Sequence, residues 1–291
     1  MQLINKTMIE YAIKIAHEVE ADSLLICVDV NKDIAAVSED MRKGIGIIVA
    51  TPERHKLPVD IAKYAKILDV PAVNLTRMGK IKLAIAKGIV LGYFKRGDRI
   101  ICLSGVPKFG YADSIFFIDV GKEFELLSSD FINEIIEAVQ PEVFNTVLTM
   151  ACELAAQGRE NKKIGTMFVL GDDEKVLQLS RQMIINPFLG YSEEQRNILS
   201  PDLNETIKEF STIDGAFIIN STGTIITAGR HLNASLANID FPAGLGSRHI
   251  AAAAITTLTK AVAIVVSESS GNVTVFKNGK FFVTIKKPVE Q

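Results

Sequence analysis

The residues best suited to chemistry lie in the segment FPAGLGSRHIAAAAI, at positions 241–255 of this 291-residue chain. Gly244 and Gly246 predict a flexible loop, and Ser247 is a good N-cap. A helix of small residues is expected from about 248 to 260. The start of such a helix presents unpaired backbone N–H groups, which favour an anion.

Arg248 and His249 fall in the first turn of this predicted helix. The positive end of the helix dipole lies there, so cations are unfavourable unless a negative group sits beside them. A phosphate is the natural candidate, because arginine offers a planar fork for two phosphate oxygens and histidine a hydrogen bond or a charge. The alternative is a capped helix with solvent-exposed Arg248 and His249. This segment alone supports both interpretations equally.

Two further polar segments flank this helix in the sequence. Asp214-Gly215 precedes a predicted strand, and Ser267-Glu268 belongs to a predicted hairpin tip. Each alone is typical of a solvated turn. Together, a carboxylate, a phosphate-binding helix start and a second polar cluster match what nucleotide chemistry with a divalent metal requires.

The elements that would position these residues form a mixed, largely antiparallel sheet with helices on both faces. Asn278-Gly279 lies between alternating apolar residues, which is a strong hairpin signal. We expect a strand at 164–170, a helix at 173–183, a helix near 202–210, two strands joined at 221–223, and three strands from 262 onward with turns at 269–271 and 278–279.

The N-terminal half has a different pattern. Short Val- and Ile-rich runs at 23–30, 44–50, 71–75, 98–104 and 114–120 alternate with helical segments that include 58–69 and 77–94. Apolar strands separated by helices predict a three-layer α/β domain with a parallel sheet. Its polar candidates, the turn after Ser104 and the loop holding Arg54 and His55, are expected to be an ordinary turn and solvated residues.

The change of pattern predicts two domains, residues 1–127 and residues 128–291, with a pair of helices at 128–158 belonging to the second. The length agrees with this division, since a domain typically has about 100–200 residues. No internal repeat is visible.

Composition limits the classes of partner. The chain has 32 Lys and Arg against 34 Asp and Glu, a formal net charge of −2 and 48% hydrophobic residues. A broad basic face for nucleic acid is therefore not expected. Three cysteines lie far apart in apolar runs, which is typical of buried thiols in a reducing compartment. With neither a signal-peptide core nor a membrane span, we expect a soluble, cytoplasmic protein.

The polar segments together resemble a known family. Asp214-Gly215-Ala216 is similar to the DGA motif of the diadenylate cyclase (DAC) domain, and Gly246-Ser247-Arg248-His249 to its GTRHR motif. VSESSGNV at 266–273 is similar to its VSEETG segment, and GRENKKIGTMFVLGD at 158–172 to the opening strand of archaeal members. The run KLAIAKGIVLGYFKRGDRIICLSGVP also resembles the C-terminal domain of pyruvate kinase, at the level of fold only.

The resemblance implies that two ATP molecules are converted into cyclic di-AMP and two pyrophosphates. Two subunits would form a homo-oligomer with facing sites, and each 3′-hydroxyl would attack the other nucleotide's α-phosphate. Mn²⁺ or Mg²⁺ would offset the phosphate charge.

The resemblance also implies roles for individual residues. Asp214 would bind the metal and help to activate the hydroxyl, with Arg248 and His249 as further catalytic groups and His249 and Glu268 near the metal. The expected ATP-binding residues are Gly215, Leu232 (through its backbone, at the adenine edge), Gly246, Ser247, Arg248, His249, Ser267 and Glu268.

Three positions depart from the family pattern: Ser247 replaces a threonine, Ile250 an arginine and Ser269 a glutamate. Serine keeps the hydroxyl, whereas Ile250 removes a charge near the phosphates. An alternative function is therefore a non-catalytic sensor of ATP or cyclic di-AMP. A scaffold protein is a third possibility, in which the polar segments coincide by chance.

Overall fold

The chain divides into two compact units in this computed structural model. One comprises Met1–Ser128 with Pro288–Gln291, and the other Ser129–Lys287. The structure describes residues 2–27, 43–105, 110–121, 129–158, 162–233 and 246–288. Within these ranges no helix is both long and apolar enough to span a membrane.

The first unit is built on a five-stranded sheet. Its strands are β1 (Ser23–Cys27), β2 (Gly46–Thr51), β3 (Ala65–Asp69), β4 (Arg99–Ser104) and β5 (Ser114–Asp119). The order across the sheet is β3-β2-β1-β4-β5. The first four are parallel, but β5 is antiparallel to β4. The prediction of a parallel sheet is wrong for β5, because its short connection from β4 favours an antiparallel neighbour.

Among the described residues, two helices cover this sheet, α1 (Gln2–Glu18) and α2 (Arg77–Val90). The buried stripe of α1 includes Ile9, Ile13 and Ala16, and it packs on the face of the sheet that carries Leu24 and Ile26. α2 contacts β1, β3 and β4. Because side chains alternate along a strand, the intervening residues of β1 point to the α2 face.

Two predicted elements of this unit are wrong. Residues 58–69 form a short 3-10 turn at Ile61–Lys63 and then β3, which pairs with β2 along its whole length. This pairing overrides the helix-like spacing of the apolar residues. Residues 71–75 form no strand. Pro71 lacks the N–H that a further ladder bond would need, so the pairing ends with β3.

The second unit is built on a seven-stranded sheet. Its strands are β6 (Thr166–Leu170), β7 (Ser180–Gln182), β8 (Ala216–Ile219), β9 (Ile225–Leu232), β10 (Val262–Val266), β11 (Val273–Lys277) and β12 (Lys280–Ile285). The order is β12-β11-β10-β6-β8-β9-β7. Only β6 and β8 pair in parallel among these neighbours, so the sheet is mixed and largely antiparallel, as predicted.

Helices pack on this sheet as well. They are α3 (Ser129–Ala138), α4 (Pro141–Gln157), α5 (Asp173–Gln178), α6 (Asn204–Phe210) and α7 (Ser247–Leu258). Ala252, Ala253 and Ile255 of α7 share a core cluster with residues of β6 and β10, and their small size allows the helix to lie close to the sheet. The helix predicted at 173–183 is shorter, because Ser180 begins β7 and pairs with β9.

A close approach at Gly171 joins the helix pair to the sheet. Gly171 has a φ of +74° and donates its N–H to Ile219 O at 2.9 Å. A Cβ at this position would overlap the carbonyl group of Ala138, at the end of α3. The position therefore requires glycine both for its left-handed conformation and for space.

We expect Gly171→Ala to destabilise the protein by more than about 2 kcal/mol, since it adds a backbone clash to the cost of about 1–2 kcal/mol for a side chain in a left-handed conformation. Gly190→Ala is the matched control, because Gly190 has a φ of +92° with no atom near its would-be Cβ. The measurement is denaturant unfolding of the full chain followed by circular dichroism. Equal losses in the two variants would contradict the role assigned to the clash.

Candidate functional site

Three strand ends meet at one edge of the second sheet. Thr166, at the start of β6, lies opposite Val266, at the end of β10. Met167 of β6 lies opposite Ala216, at the start of β8. The segments before β6, before β8 and after β10 therefore converge, and they carry Gly165, Asp214 and Glu268, respectively.

Arg248 joins these segments from the first turn of α7. Its Nη2 lies 3.1 Å from Asp214 Oδ1, and its Nη1 lies 3.4 Å from Glu268 Oε2. The two carboxylates are largely solvent-exposed, at 73% and 61%, whereas the Arg248 side chain is 28% exposed. One half-buried cation thus bridges two acids that a ligand could reach.

The carboxylates change the electrostatic argument made from the sequence. A cation at the start of a helix is unfavourable, and the sequence suggested a ligand as the compensating anion. The structure shows that Asp214 and Glu268 already supply negative charge to Arg248. The Arg248 Nε donor is buried and has no hydrogen-bond partner among the described residues. The guanidinium group is therefore only partly satisfied by the two acids.

Two glycines allow the segments to approach one another this closely. A Cβ on Gly165 would lie 2.6 Å from Arg248 Nη1 and 2.8 Å from the Cβ of Glu268. Gly215 has a φ of +110°, and a Cβ there would lie 2.7 Å from the carbonyl carbon of Gly229 in β9. The glycine after Asp214 is thus required by backbone packing.

His249 lies beside Arg248 but in a less polar environment. Its ring is 5.9 Å from the Phe276 ring in an edge-to-face arrangement. Burial lowers the pKa of His249 below its usual value of 6.5, because the charged form loses hydration. The imidazole is therefore neutral at pH 7, and a neutral imidazole can ligate a metal or donate one hydrogen bond.

The polar segment that begins at Ser267 is a well-formed turn. Ser267 accepts a backbone hydrogen bond from Gly271 N at 2.8 Å, and Ser267 Oγ accepts one from Ser270 N at 3.3 Å. The predicted N-cap at Ser247 is wrong by one residue. Gly246 is the N-cap and Ser247 is the first helical residue, so its exposed hydroxyl group does not cap the helix.

Two cavities adjoin at Ser247 and Arg248, which line both. The smaller one has a volume of about 340 Å³ and is also lined by the predicted residues Asp214, Gly215 and Leu232. The larger one has a volume of about 1030 Å³ and is also lined by the predicted residues Gly246, His249, Ser267 and Glu268. Ligand cavities typically measure about 300–1,000 Å³, so each could hold part of a nucleotide.

Arg230 organises the wall of the smaller cavity. It donates through Nη2 to Leu177 O at 2.9 Å and Ser180 O at 3.0 Å, and through Nε to Ser180 Oγ at 3.1 Å. These bonds fasten the three-residue strand β7 to β9, where Leu232 lies opposite Ser180. Leu232 itself is buried in the core cluster beneath the cavity.

The site includes residues that the sequence analysis did not select. Gly165 lies under Arg248, and Lys162 and Lys163 line the larger cavity. The polar run GRENKK was compared with the family only as part of the segment at 158–172, and its lysines were assigned no role. Its position directly before β6 could have indicated that it lies near the site. The sequence does not show this, because β8 and β10, the neighbours of β6 in the sheet, come from much later in the chain.

The candidates of the first unit do not form a comparable cluster. Ser104 ends β4 and is fully buried, and Val106 and Pro107 lie outside the described residues. Arg54 pairs with Asp69 at 3.4 Å. A cavity of about 460 Å³ lies at the carboxyl ends of β1 and β2, where open α/β sheets bind ligands, and Lys80 and Leu83 line it.

Family models cover both units. Residues 153–281 match the DAC model, described as the DisA bacterial checkpoint controller nucleotide-binding domain. Residues 5–127 match a model described as the probable sensor domain DacZ_P. The resemblance to a pyruvate kinase domain is not supported by these matches. The DAC match, together with the relatives described next, identifies the chain as a nucleotide-binding nucleotidyltransferase.

Two relatives that match over most of their length identify the enzyme family within this class. The chain is 31% identical to a diadenylate cyclase of Methanocaldococcus jannaschii, over 96% of this chain and 95% of the relative. It is 35% identical to a diadenylate cyclase of Haloferax volcanii, over 78% and 82%, respectively. The chain therefore belongs to the diadenylate cyclase family, the enzymes that make cyclic di-AMP.

Two solved structures are also similar in part. A hypothetical membrane-spanning protein from Bacillus cereus is 18% identical, with a TM-score of 0.40, over 54% of this chain and 69% of that one. A double mutant of DacA from Staphylococcus aureus is 24% identical, with a TM-score of 0.33, over 50% of this chain and 86% of that one.

We expect Gly165→Ala to lower cyclic di-AMP synthesis by about 10–100-fold, because the added methyl group displaces the Arg248 guanidinium and misplaced groups lose rate steeply. The melting temperature should also fall, since the new Cβ would press on the Cβ of Glu268 as well as on the end of the Arg248 side chain, and activity is therefore compared well below the melting temperature of either protein. Product formation is measured by chromatography alongside thermal unfolding. Gly46→Ala, at a strand start with ordinary contacts, is the control. Full activity in Gly165→Ala would contradict the role of this close approach.

Proposed function

We propose that this chain condenses two ATP molecules into cyclic di-AMP and two pyrophosphates, with one nucleotide held by each of two facing subunits. The observation that carries the proposal is the position of Arg248, which contacts Asp214 and Glu268 where two cavities adjoin. The family's three motifs supply these three residues. The reaction needs phosphate charge to be neutralised and two nucleotides to be aligned, and the site offers groups for both tasks.

The two cavities suit different parts of ATP. The smaller is lined by Met167, Ala216 and Leu232, which offer apolar surface for adenosine. The larger is lined by hydroxyl groups and cations, which suit phosphates. In this arrangement the α-phosphate lies at the junction, beside Ser247 and Arg248. The backbone of Leu232 would meet the adenine edge.

Binding of ATP would exchange the partners of Arg248. A phosphate can accept both guanidinium bonds, one of which goes to Asp214 and the other to Glu268 in the free chain. The Asp214 carboxylate then becomes available to the 3′-hydroxyl of a nucleotide and can accept its proton. The 3′-oxygen forms a bond to the α-phosphorus of the other nucleotide, and the bond from that phosphorus to the bridging oxygen of the β-phosphate breaks. Repeating the step on the other side closes the ring.

The donor set fits a divalent metal that is shared with the nucleotide. No group of three or more potential ligands was found among the described His, Cys, Asp and Glu side chains. Mg²⁺ commonly binds through one or two carboxylates plus substrate phosphates, and Mn²⁺ accepts similar oxygen ligands. Asp214 and Glu268 would supply the carboxylates, and His249 would have to move toward them to add a nitrogen, since the three side chains do not form a ligand group in the free chain. The metal would neutralise phosphate charge.

An apolar segment next to the site supports association of two subunits. Met183 and Ile250 line the smaller cavity and are both partly exposed. Ile185 and Leu189, from the same segment as Met183, are 91% and 78% exposed. Apolar surface of this kind is typical of protein interfaces. In this proposal the apolar segment contacts a second copy of the chain. The protein would act in the cytoplasm, where ATP is available.

We expect Asp214→Asn to lower turnover at least 100-fold, because the amide cannot accept the proton or hold a metal equally well. Folding should be unaffected, since the Asp214 side chain is 73% exposed. The assay is incubation of the purified protein with ATP and Mn²⁺ or Mg²⁺, followed by separation of cyclic di-AMP and pyrophosphate. The exposed Asp202, which lines neither cavity, gives the control Asp202→Asn.

The same assay separates this proposal from a sensor. If the folded wild-type protein binds ATP but forms no product with either metal, the chain is a non-catalytic sensor. The loss of turnover would then be attributed to Ile250, which stands where the family has an arginine.

We expect Ile185→Asp to weaken self-association and to lower turnover per subunit about tenfold at low protein concentration, because a charge in a buried interface must be desolvated. ATP binding to each subunit should persist. Solution mass and activity are measured over a range of protein concentrations. Val59→Asp, at an 82% exposed aliphatic residue of the first unit, is the control. Unchanged mass and activity in Ile185→Asp would contradict this interface.

A further inference from the structure

The larger cavity carries more positive charge than the three family motifs account for. Lys162 and Lys163 line it together with Arg248, and among the described lining residues Glu268 is the one carboxylate. Glu268 is already paired with Arg248. The charge of the two lysines is thus not balanced by the described residues of the cavity lining.

The position of the lysines relative to Arg248 can be estimated from the chain. Gly165 lies directly against the Arg248 guanidinium, because a Cβ there would be 2.6 Å from Nη1. Lys163 and Lys162 precede it by two and three residues, and an extended chain spans at most about 3.3–3.6 Å per residue. Their backbones therefore lie within about 7–11 Å of Gly165. Flexible lysine side chains can cover the remaining distance to phosphates beyond the one at Arg248.

Hydroxyl groups complete the lining of the cavity. They belong to Ser247, Ser267, Ser269, Ser270, Thr274 and Thr284. Hydroxyl donors and ammonium groups around an open cavity suit an anion with several oxygens and a charge of more than one. Lysine binds such an anion as a compact point charge without demanding one fixed geometry.

We propose that Lys162 and Lys163 bind the β- and γ-phosphates of ATP and stabilise the departing pyrophosphate. This inference rests on the proposed function, and it adds two residues from outside the recognised motifs. Positive charge at the leaving group lowers the barrier, since negative charge grows there as the α–β bond breaks. The lysines also restore cationic charge in a site where Ile250 replaces an arginine.

The inference predicts a difference between substrate and product. ATP carries β- and γ-phosphates, whereas cyclic di-AMP retains only the α-phosphates. A residue that contacts only the β- and γ-phosphates should therefore affect affinity for a triphosphate and leave affinity for cyclic di-AMP unchanged. The leaving pyrophosphate would stay with the lysines while the cyclic product dissociates from the other cavity.

The test is calorimetric titration of the whole 291-residue chain with 3′-deoxy-ATP, which lacks the attacking hydroxyl, and separately with cyclic di-AMP, both with Mg²⁺ present. We expect the double variant K162A/K163A to bind 3′-deoxy-ATP about 10–100-fold more weakly than wild type, as expected for lost charge-assisted contacts. Affinity for cyclic di-AMP should change less than twofold. The variant K162R/K163R, which keeps both charges, should largely restore triphosphate binding.

The control is Lys175→Ala, which removes an exposed lysine of α5 that lines neither of these two cavities. Unchanged affinity of K162A/K163A for 3′-deoxy-ATP would overturn the inference. Equal weakening for both nucleotides would also overturn it, because the lysines would then support the site as a whole. A wild-type protein that binds neither nucleotide would instead reject the proposed function, and with it this inference.

Discussion

The ion pairs of Arg248 with Asp214 and Glu268 are the interaction on which the site depends. They require three strand ends and one helix start to meet at a single edge of the sheet. Sheet register brings the strand ends level, and Gly165 leaves room for the guanidinium group. An error of one residue in any of these strands would move a charged group by more than 3 Å along the strand and separate the partners.

The sequence predicted the parts of this site better than their arrangement. Asp214-Gly215, Arg248-His249 and Ser267-Glu268 were selected from local signals, because turns and helix starts have local signatures. Their contact depends on β6 lying between β8 and β10, which are distant in the chain. Local sequence patterns do not predict which distant strands will be neighbours in the sheet. Lys162 and Lys163 were not selected for the same reason.

The errors in secondary structure have a similar origin. Residues 58–69 have helix-like apolar spacing, but pairing with β2 makes their second half a strand. Residues 173–183 continue a helical pattern, yet Ser180 pairs with β9 instead. In both cases contacts with distant segments decided between two locally acceptable conformations. The long strands and the Asn278-Gly279 hairpin, whose signals are local, were predicted correctly.

The short strand β7 also limits how copies of this protein can associate. An open sheet edge attracts other strands, and long exposed edges lead to aggregation. β7 is three residues long and is held by the guanidinium of Arg230. A strand from another copy would find few unpaired backbone N–H and C=O groups along β7, so adding a strand here would form few hydrogen bonds. In the proposed association of two copies, contacts on this side would therefore be made by side-chain surfaces, which can separate again when product leaves.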